Sequence, residues 1–177
     1  MRGMFIHSEV LNLQLTTEQD LTWVLRFEQN EQNRPYIGQW SKEEHAAAIQ
    51  NPDILHLTIR DRSRNNVGYM IITGLQDSNL TVCIQRIVIE QKGMGYGKLS
   101  LRLVTDYIFR HTQTHRLWLD VRDHNYRARH VYESSGFTLE GTLRDCIKVG
   151  EHFESLHILS ILRHEYIERN SAGVEID

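Results

Sequence analysis

The chain has 177 residues, enough for one domain with a sizeable core, and its formal net charge of −3 lacks the basic excess of a general nucleic-acid binder. No apolar run is long enough to span a membrane, and the first residues lack the apolar stretch of a secretory signal, so a cytoplasmic, soluble protein is expected. Two cysteines, Cys83 and Cys146, fall in strand-like patterns and read as reduced packing residues. Ten histidines raise the question of metal. There is no HExxH motif and no Cys or His spacing that suits a closed zinc site. His111 with His115 reads as a helix end and its turn, and no metal is expected.

In chain order, Val10 to Leu15 alternates apolar with polar residues and predicts a strand. Thr17 with Asp20 resembles a capping box before a helix that carries Leu21, Val24 and Leu25 and ends near Asn30. Gln29 to Trp40 reads as a loop. Ser41 with Glu44 is a second capping box, opening a short helix through Ala46 to Ile49 that Asn51-Pro52 stops. Leu55, Leu57 and Ile59 alternate with polar residues, and Val67 to Thr73 follows a charged turn, which predicts a hairpin.

Leu80, Val82 and Ile84 then lead into the continuous apolar run Ile87-Val88-Ile89, the pattern of a central strand covered on both faces. Lys92-Gly93-Met94-Gly95-Tyr96-Gly97-Lys98 turns the chain into a helix. Leu99, Leu101, Leu103, Val104, Tyr107 and Ile108 form its predicted apolar face, with Arg102, Thr105 and Asp106 opposite. Leu117 to Val121 predicts a strand, Asn125 to Ser135 a helix, and Phe137–Ile147 with Phe153–Leu162 two further strands. The tail from Ser171 to Asp177 is expected to be disordered. The elements predict a mixed α/β sheet in a single domain, residues 1–170.

A strand, a glycine turn and a helix N-terminus together form an anion site, because unpaired backbone N–H groups and the helix dipole converge there. A phosphate loop of nucleotide hydrolases needs Gly, four residues, Gly, Lys and a hydroxyl; counting back from Gly97-Lys98 puts Lys92 at the first position and Leu99 at the last. The strict alternation of Gly93, Gly95 and Gly97 also fails the GxGxxG spacing of dinucleotide folds. A ligand-free glycine connector is the remaining plain alternative.

The segment Ile87 to Lys98 with its helix resembles the acetyl-CoA motif of the GNAT N-acetyltransferases, Arg/Gln-x-x-Gly-x-Gly/Ala. Gly95 and Gly97 match the glycines, and Lys92 stands at the Arg/Gln position. A second block, Asn125-x-x-Ala128-x-x-Val131-Tyr132-Glu133-x-x-Gly136-Phe137, is similar to the family's later helix and strand. A third, Gly141 to Arg144 through Ile161 to Tyr166, resembles the branch of ribosomal-protein N-terminal and polyamine acetyltransferases. The resemblance implies a GNAT-like, mostly antiparallel central sheet flanked by helices, and acetyl-CoA as cosubstrate.

It also implies that the cofactor's pyrophosphate lies on the amides of Lys92, Gly93, Met94, Gly95, Tyr96, Gly97 and Lys98. The pantetheine arm would pair with Ile87, Val88 and Ile89, in the gap left by the next strand. Asn125 would cap its helix and touch that arm. Tyr132 would be the acid that protonates the thiolate, or else a core aromatic. The oxyanion would take a central-strand amide such as that of Val88.

The resemblance implies an acceptor that is a small-molecule or peptide primary amine. Such an amine has a reference pKa near ~10.4 and must lose a proton before it attacks. Where several relatives carry a strand glutamate, this chain has Cys83, Gln85 and Arg86; Glu90 reads as solvated, and the base stays open between Asp120, His157 and water. Glu28, Glu31, Tyr36, Trp40, Glu43 and Glu44, with Glu151 and Glu154, are candidates for a cationic acceptor site or an ordinary solvated surface. Neither nucleic acid nor membrane is expected as a partner; a homodimer is allowed. A non-catalytic acyl-CoA-binding module on the same fold is the alternative function.

Overall fold

The computed structural model describes residues 5–171. In chain order these form β1 (Phe5–His7), β2 (Leu11–Leu15), α1 (Leu21–Gln29), α2 (Lys42–Gln50), β3 (Ile54–Asp61), β4 (Asn66–Thr73) and β5 (Thr81–Ile89). There follow α3 (Tyr96–His111), β6 (Arg116–Arg122), α4 (Tyr126–Ser134), β7 (Thr138–Val149), β8 (His152–Leu162) and α5 (Arg163–Ser171). The eight strands make one sheet in the order β1-β2-β3-β4-β5-β6-β8-β7. Every neighbouring pair is antiparallel except β5 with β6. No helix among the described residues is long and apolar enough to cross a membrane.

Both capping boxes form. Asp20 accepts from the Thr17 N–H and hydroxyl at 2.8 Å, ahead of a 3-10 turn that runs into α1. Ser41 and Glu44 bond each other's backbone N–H at the start of α2. The strand predicted from Val10, β2, begins at Leu11; Val10 stands 46% exposed in the preceding turn. Leu80 also falls outside its predicted strand: it sits exposed at φ +56°, and its carbonyl accepts from the N–H groups of His115 and Arg116, where β6 joins the sheet.

Two cores flank the sheet. The larger packs α3 and α4 against one face through Leu101, Val104, Ile108 and Tyr132; the smaller packs α1 against the other through Val24, Phe27, Tyr69, Ile71 and Val88. The buried face of α3 is rotated from the predicted one. Thr105 and Phe109 are buried and Leu103 only half-buried, because the packed stripe follows Leu101, Val104, Thr105 and Ile108 at helical spacing. Cys83 is half-buried and its thiol is pushed up to about 12, chiefly by burial; Cys146 is exposed and packs nothing, contrary to the sequence pattern.

Two elements carry no sequence prediction. β1 is three residues long. α5 has a nearly uniform polar composition and is held by Tyr166, which stacks on Phe109 at 4.8 Å and donates to Asp106 at 3.0 Å. Ser171, placed in a disordered tail by the sequence, closes α5; residues 172–177 lie outside the described chain.

Candidate active site

β5 is where the sheet opens. It pairs with β6 only through Thr81, Val82 and Cys83, then the two strands part. A register shift against β4 leaves Gln85 as an extra residue between Ile84 and Arg86. This bulge exchanges the two faces of the strand: Val82 and Ile84 enter the larger core, whereas Val88 enters the smaller one and Arg86 points to that same side.

The Glu90 N–H bonds Val67 O at 2.8 Å, which sets the alternation of the β4–β5 ladder. Val88 with Tyr69, and Arg86 with Ile71, are hydrogen-bonded pairs, so Ile87 and Ile89 turn their backbone groups toward the departing β6. The amide of Val88 is therefore engaged within the sheet. Those of Ile87 and Ile89 face the gap, so the Val88 amide suggested for the oxyanion is not turned toward the cleft.

The gap widens into a cleft of about 870 Å³. Its floor at one end is the turn after β5. Gly93 and Gly95 there take φ +82° and +75°, a left-handed conformation that a Cβ penalises. The first helical hydrogen bond of α3 is Leu99 N–H to Gly95 O, so the N–H groups of Tyr96, Gly97 and Lys98 have no partner in the helix. This end of the cleft can hold an anion.

Of the twelve residues predicted for cofactor and catalysis, eleven line this cleft; Met94, 61% exposed, points away. Lys98 stands at the cleft wall. Lys92 lines it too, but its ammonium donates to Asn33 Oδ1 and Ile89 O, and burial holds its pKa below the usual lysine range. Lys92 thus ties the loop before α2 to the glycine turn. Glu90, read from the sequence as solvated, fastens the same loop, accepting from Asn30 at 3.0 Å and from Asn33 at 3.4 Å. Arg127 at the start of α4 also lines the cleft and was missed, since no motif position marks it.

Asn125 caps α4 through Oδ1, which accepts from Ala128 N at 3.2 Å. Tyr132, one helical face further on, is 8% exposed and makes no hydrogen bond through its hydroxyl to any described residue. Burial, and then the charge of Asp120, push its pKa well above the ordinary tyrosine value. Asp120 projects from β6 into the open cleft. The protein on either side desolvates it and raises its carboxyl, with Arg122 opposing. His157 is not at the cleft: its Nδ1 meets Thr142 Oγ1 at 2.9 Å and its Nε2 meets Arg129 at 3.3 Å. Of the two named base candidates, Asp120 lines the cleft and His157 does not.

The acidic acceptor candidates divide. Glu31, Tyr36 and Trp40 line the cleft. Glu43 is exposed on α2, Glu44 serves the capping box, and Glu151 lies in the β7–β8 turn. Glu154 is taken up by Arg122 at 3.2 Å and His124 at 3.1 Å. Glu28 is only 1% exposed. It accepts from Tyr69 Oη at 2.6 Å, from Trp40 N at 3.1 Å and from the Arg86 guanidinium, and lies 3.1 Å from His45 Nε2. Burial pushes its carboxyl up, but these partners together outweigh it and hold the pKa below the usual range. Behind it, His45 Nδ1 contacts His56 Nε2 at 2.9 Å, and His56 Nδ1 contacts Thr16 Oγ1 at 2.8 Å. Among the described residues no group of three or more His, Cys, Asp or Glu side chains is placed to hold a metal.

A family model described as an acetyltransferase (GNAT) domain matches residues 10–138, most of the chain. The protein belongs to the GNAT acetyltransferase family. It is an acetyl-CoA-dependent N-acetyltransferase with the mixed, mostly antiparallel sheet of that family. The chain is 23% identical over 172 residues to spermidine N(1)-acetyltransferase of Vibrio cholerae, covering 90% of this chain and 99% of the relative. The Escherichia coli K12 enzyme of the same name is 23% identical, with 84% of each chain covered. A crystal structure of spermidine N-acetyltransferase from Vibrio cholerae in complex with CoA and spermine superposes with a TM-score of 0.81 at 21% identity, over 89% of this chain and 98% of that one. Another structure of the Vibrio cholerae enzyme is a complex with manganese ions, and a third is dodecameric.

Proposed function

We propose that this GNAT protein transfers the acetyl group of acetyl-CoA directly to a small primary amine inside the cleft between β5 and β6. One observation carries the reading: the backbone groups of Ile87 and Ile89 face a gap that leads from a glycine-lined helix N-terminus to the Tyr132 hydroxyl and the Asp120 carboxylate.

The pyrophosphate takes the N–H groups of the turn Lys92 to Lys98, with Lys98 and Arg127 supplying charge at the rim. The pantetheine amides pair with the open edge at Ile87 and Ile89, as an added strand would. The Ile87 or Ile89 N–H meets the oxyanion as the amine attacks the thioester carbon. Tyr132 donates its proton to the departing thiolate, and Asp120, with its carboxyl raised toward working pH, takes the proton of the ammonium directly or through water. Neither of these groups is expected of a module that only binds acyl-CoA.

Spermidine and spermine enter the acceptor panel because two curated relatives are named for the first and a superposable structure holds the second. Peptide N-termini are the further class. The chain works without a bound metal, and by analogy with the dodecameric relative it assembles with copies of itself. The test is thiol release from acetyl-CoA in the presence of diamines, polyamines, amino acids and short peptides. Acceptor-dependent release supports the proposal; release no faster than hydrolysis with every acceptor contradicts it and favours a binding module.

A further inference from the structure

Acetyl transfer by itself leaves the acceptor class open, and Arg86 narrows it. The residue follows the bulge in β5, beyond Ile87 as seen from the glycine turn, so it lines the acceptor end of the cleft. Its side chain is 5% exposed and rigidly held. Nη1 donates to Glu28, and the guanidinium lies 4.7 Å from the centre of the Trp40 ring. Nε and Nη2, in contrast, make no hydrogen bond to any described residue, and Arg86 lines the cleft. Gly38 packs beside this edge: a Cβ there would lie 3.2 Å from Nη2, so a side chain at that position would crowd it.

Nε and Nη2 form the side-on fork that grips a carboxylate with two parallel hydrogen bonds. Glu28 cannot satisfy that edge, because its own oxygens are already occupied by Tyr69, Trp40 and Nη1. On the opposite wall Asp120 offers negative charge. A linear polycation would set one of its ammonium groups against Arg86. A zwitterion would satisfy both walls.

We infer that the acceptor of this enzyme is a primary amine that also carries a carboxylate, held by the free edge of Arg86 while the amine faces Asp120 and the thioester. The inference rests on the acetyl-transfer reading, and two readouts separate their failures. In the first, turnover is compared for matched pairs that differ only by the carboxylate: ornithine against putrescine, lysine against cadaverine, with spermidine alongside. The carboxylate-bearing member is expected to lead in kcat/KM by tenfold or more, and Arg86→Lys, which keeps a cation beside Glu28, is expected to bring the ratio toward one. A lead for cadaverine, putrescine or spermidine, or a ratio unmoved by Arg86→Lys, overturns the inference and leaves acetyl transfer standing. In the second, tryptophan fluorescence is titrated with pentanoate, which has no amine. Saturable quenching that Arg86→Lys abolishes supports the carboxylate site even if no amine turns over; absence of saturation in the native protein overturns it.

Discussion

Tyr132 brings an unbonded hydroxyl from the core to the cleft, in an environment that resists its ionisation. A phenol that stays protonated at working pH is suited to protonate a thiolate, and Tyr132→Phe is expected to lower kcat about 100-fold while CoA affinity stays within about twofold, measured by steady-state kinetics and calorimetry. Asp120→Asn tests the other end of the proton's path. Because the carboxyl is raised, the acid limb of the kcat/KM profile should lie above the ordinary carboxylate range, and the amide should remove that limb; an unmoved limb takes Asp120 out of the reaction. Tyr132 could be placed in the cleft from a motif, whereas the sequence left the base open between Asp120, His157 and water, and only the structure shows that Asp120 lines the cleft and His157 does not. The partnership of Glu28 with Arg86 was not legible in the sequence, since 58 residues separate them and each reads alone as surface charge. Replacing Arg86 by Leu leaves a buried carboxylate without its cation and is expected to cost about 3–5 kcal/mol in urea denaturation, whereas Arg86→Lys should cost clearly less.

At the scale of the elements, the glycine turn leads into a helix N-terminus whose first N–H groups have no partner in the helix, which suits it to be a cradle. Gly95 at φ +75° has open space where a Cβ would go, so Gly95→Ala meets no clash and acts through conformation alone. It is expected to cost about 1 kcal/mol of stability and to weaken acetyl-CoA binding, by thermal unfolding and titration; native affinity would show that the turn does not shape the phosphate site. Strands with regular alternation, such as β3 and β6, could be read directly. β5 could not be read beyond its existence, because one extra residue at Gln85 changes which side chains face which core, and period-two reasoning carries no sign of such a bulge. α5 escaped for a different reason: it is held by Tyr166 against Phe109 and Asp106 and by Arg163, whose guanidinium donates to the carbonyls of Phe109, Thr112 and Thr114, and not by an apolar stripe.

At the scale of the molecule, a chain of buried polar groups runs from the cleft wall at Arg86 through Glu28, His45 and His56 to Thr16, joining β5, α1, α2 and β3. Burial foremost, then the nearby charges of His45 and Arg86, lowers the pKa of His56 from 6.5 to about 3. An unfolded His56 takes up its proton near 6.5, so between those values the unfolded chain binds the extra proton. Stability is thus fully present above about pH 6.5 and falls as the pH drops toward 3, by at most about 1.4 kcal/mol per unit from this group. Urea midpoints measured across that window should decline, and His56→Gln should flatten the slope; an unchanged slope would show that His56 is not held neutral.

The fold as a whole brings the two ends of the reaction together by letting one pair of strands diverge, and amine acetylation in that gap is the claim on which the rest depends. The most direct measurement is simultaneous detection of free thiol and acetylated amine, by mass spectrometry, after the native protein is incubated with acetyl-CoA and a panel of polyamines, diamines, amino acids and peptides. One thiol released per amine acetylated, with the rate collapsing in Tyr132→Phe, is the expected result. Binding of acetyl-CoA with no acetylated product from any acceptor would contradict it.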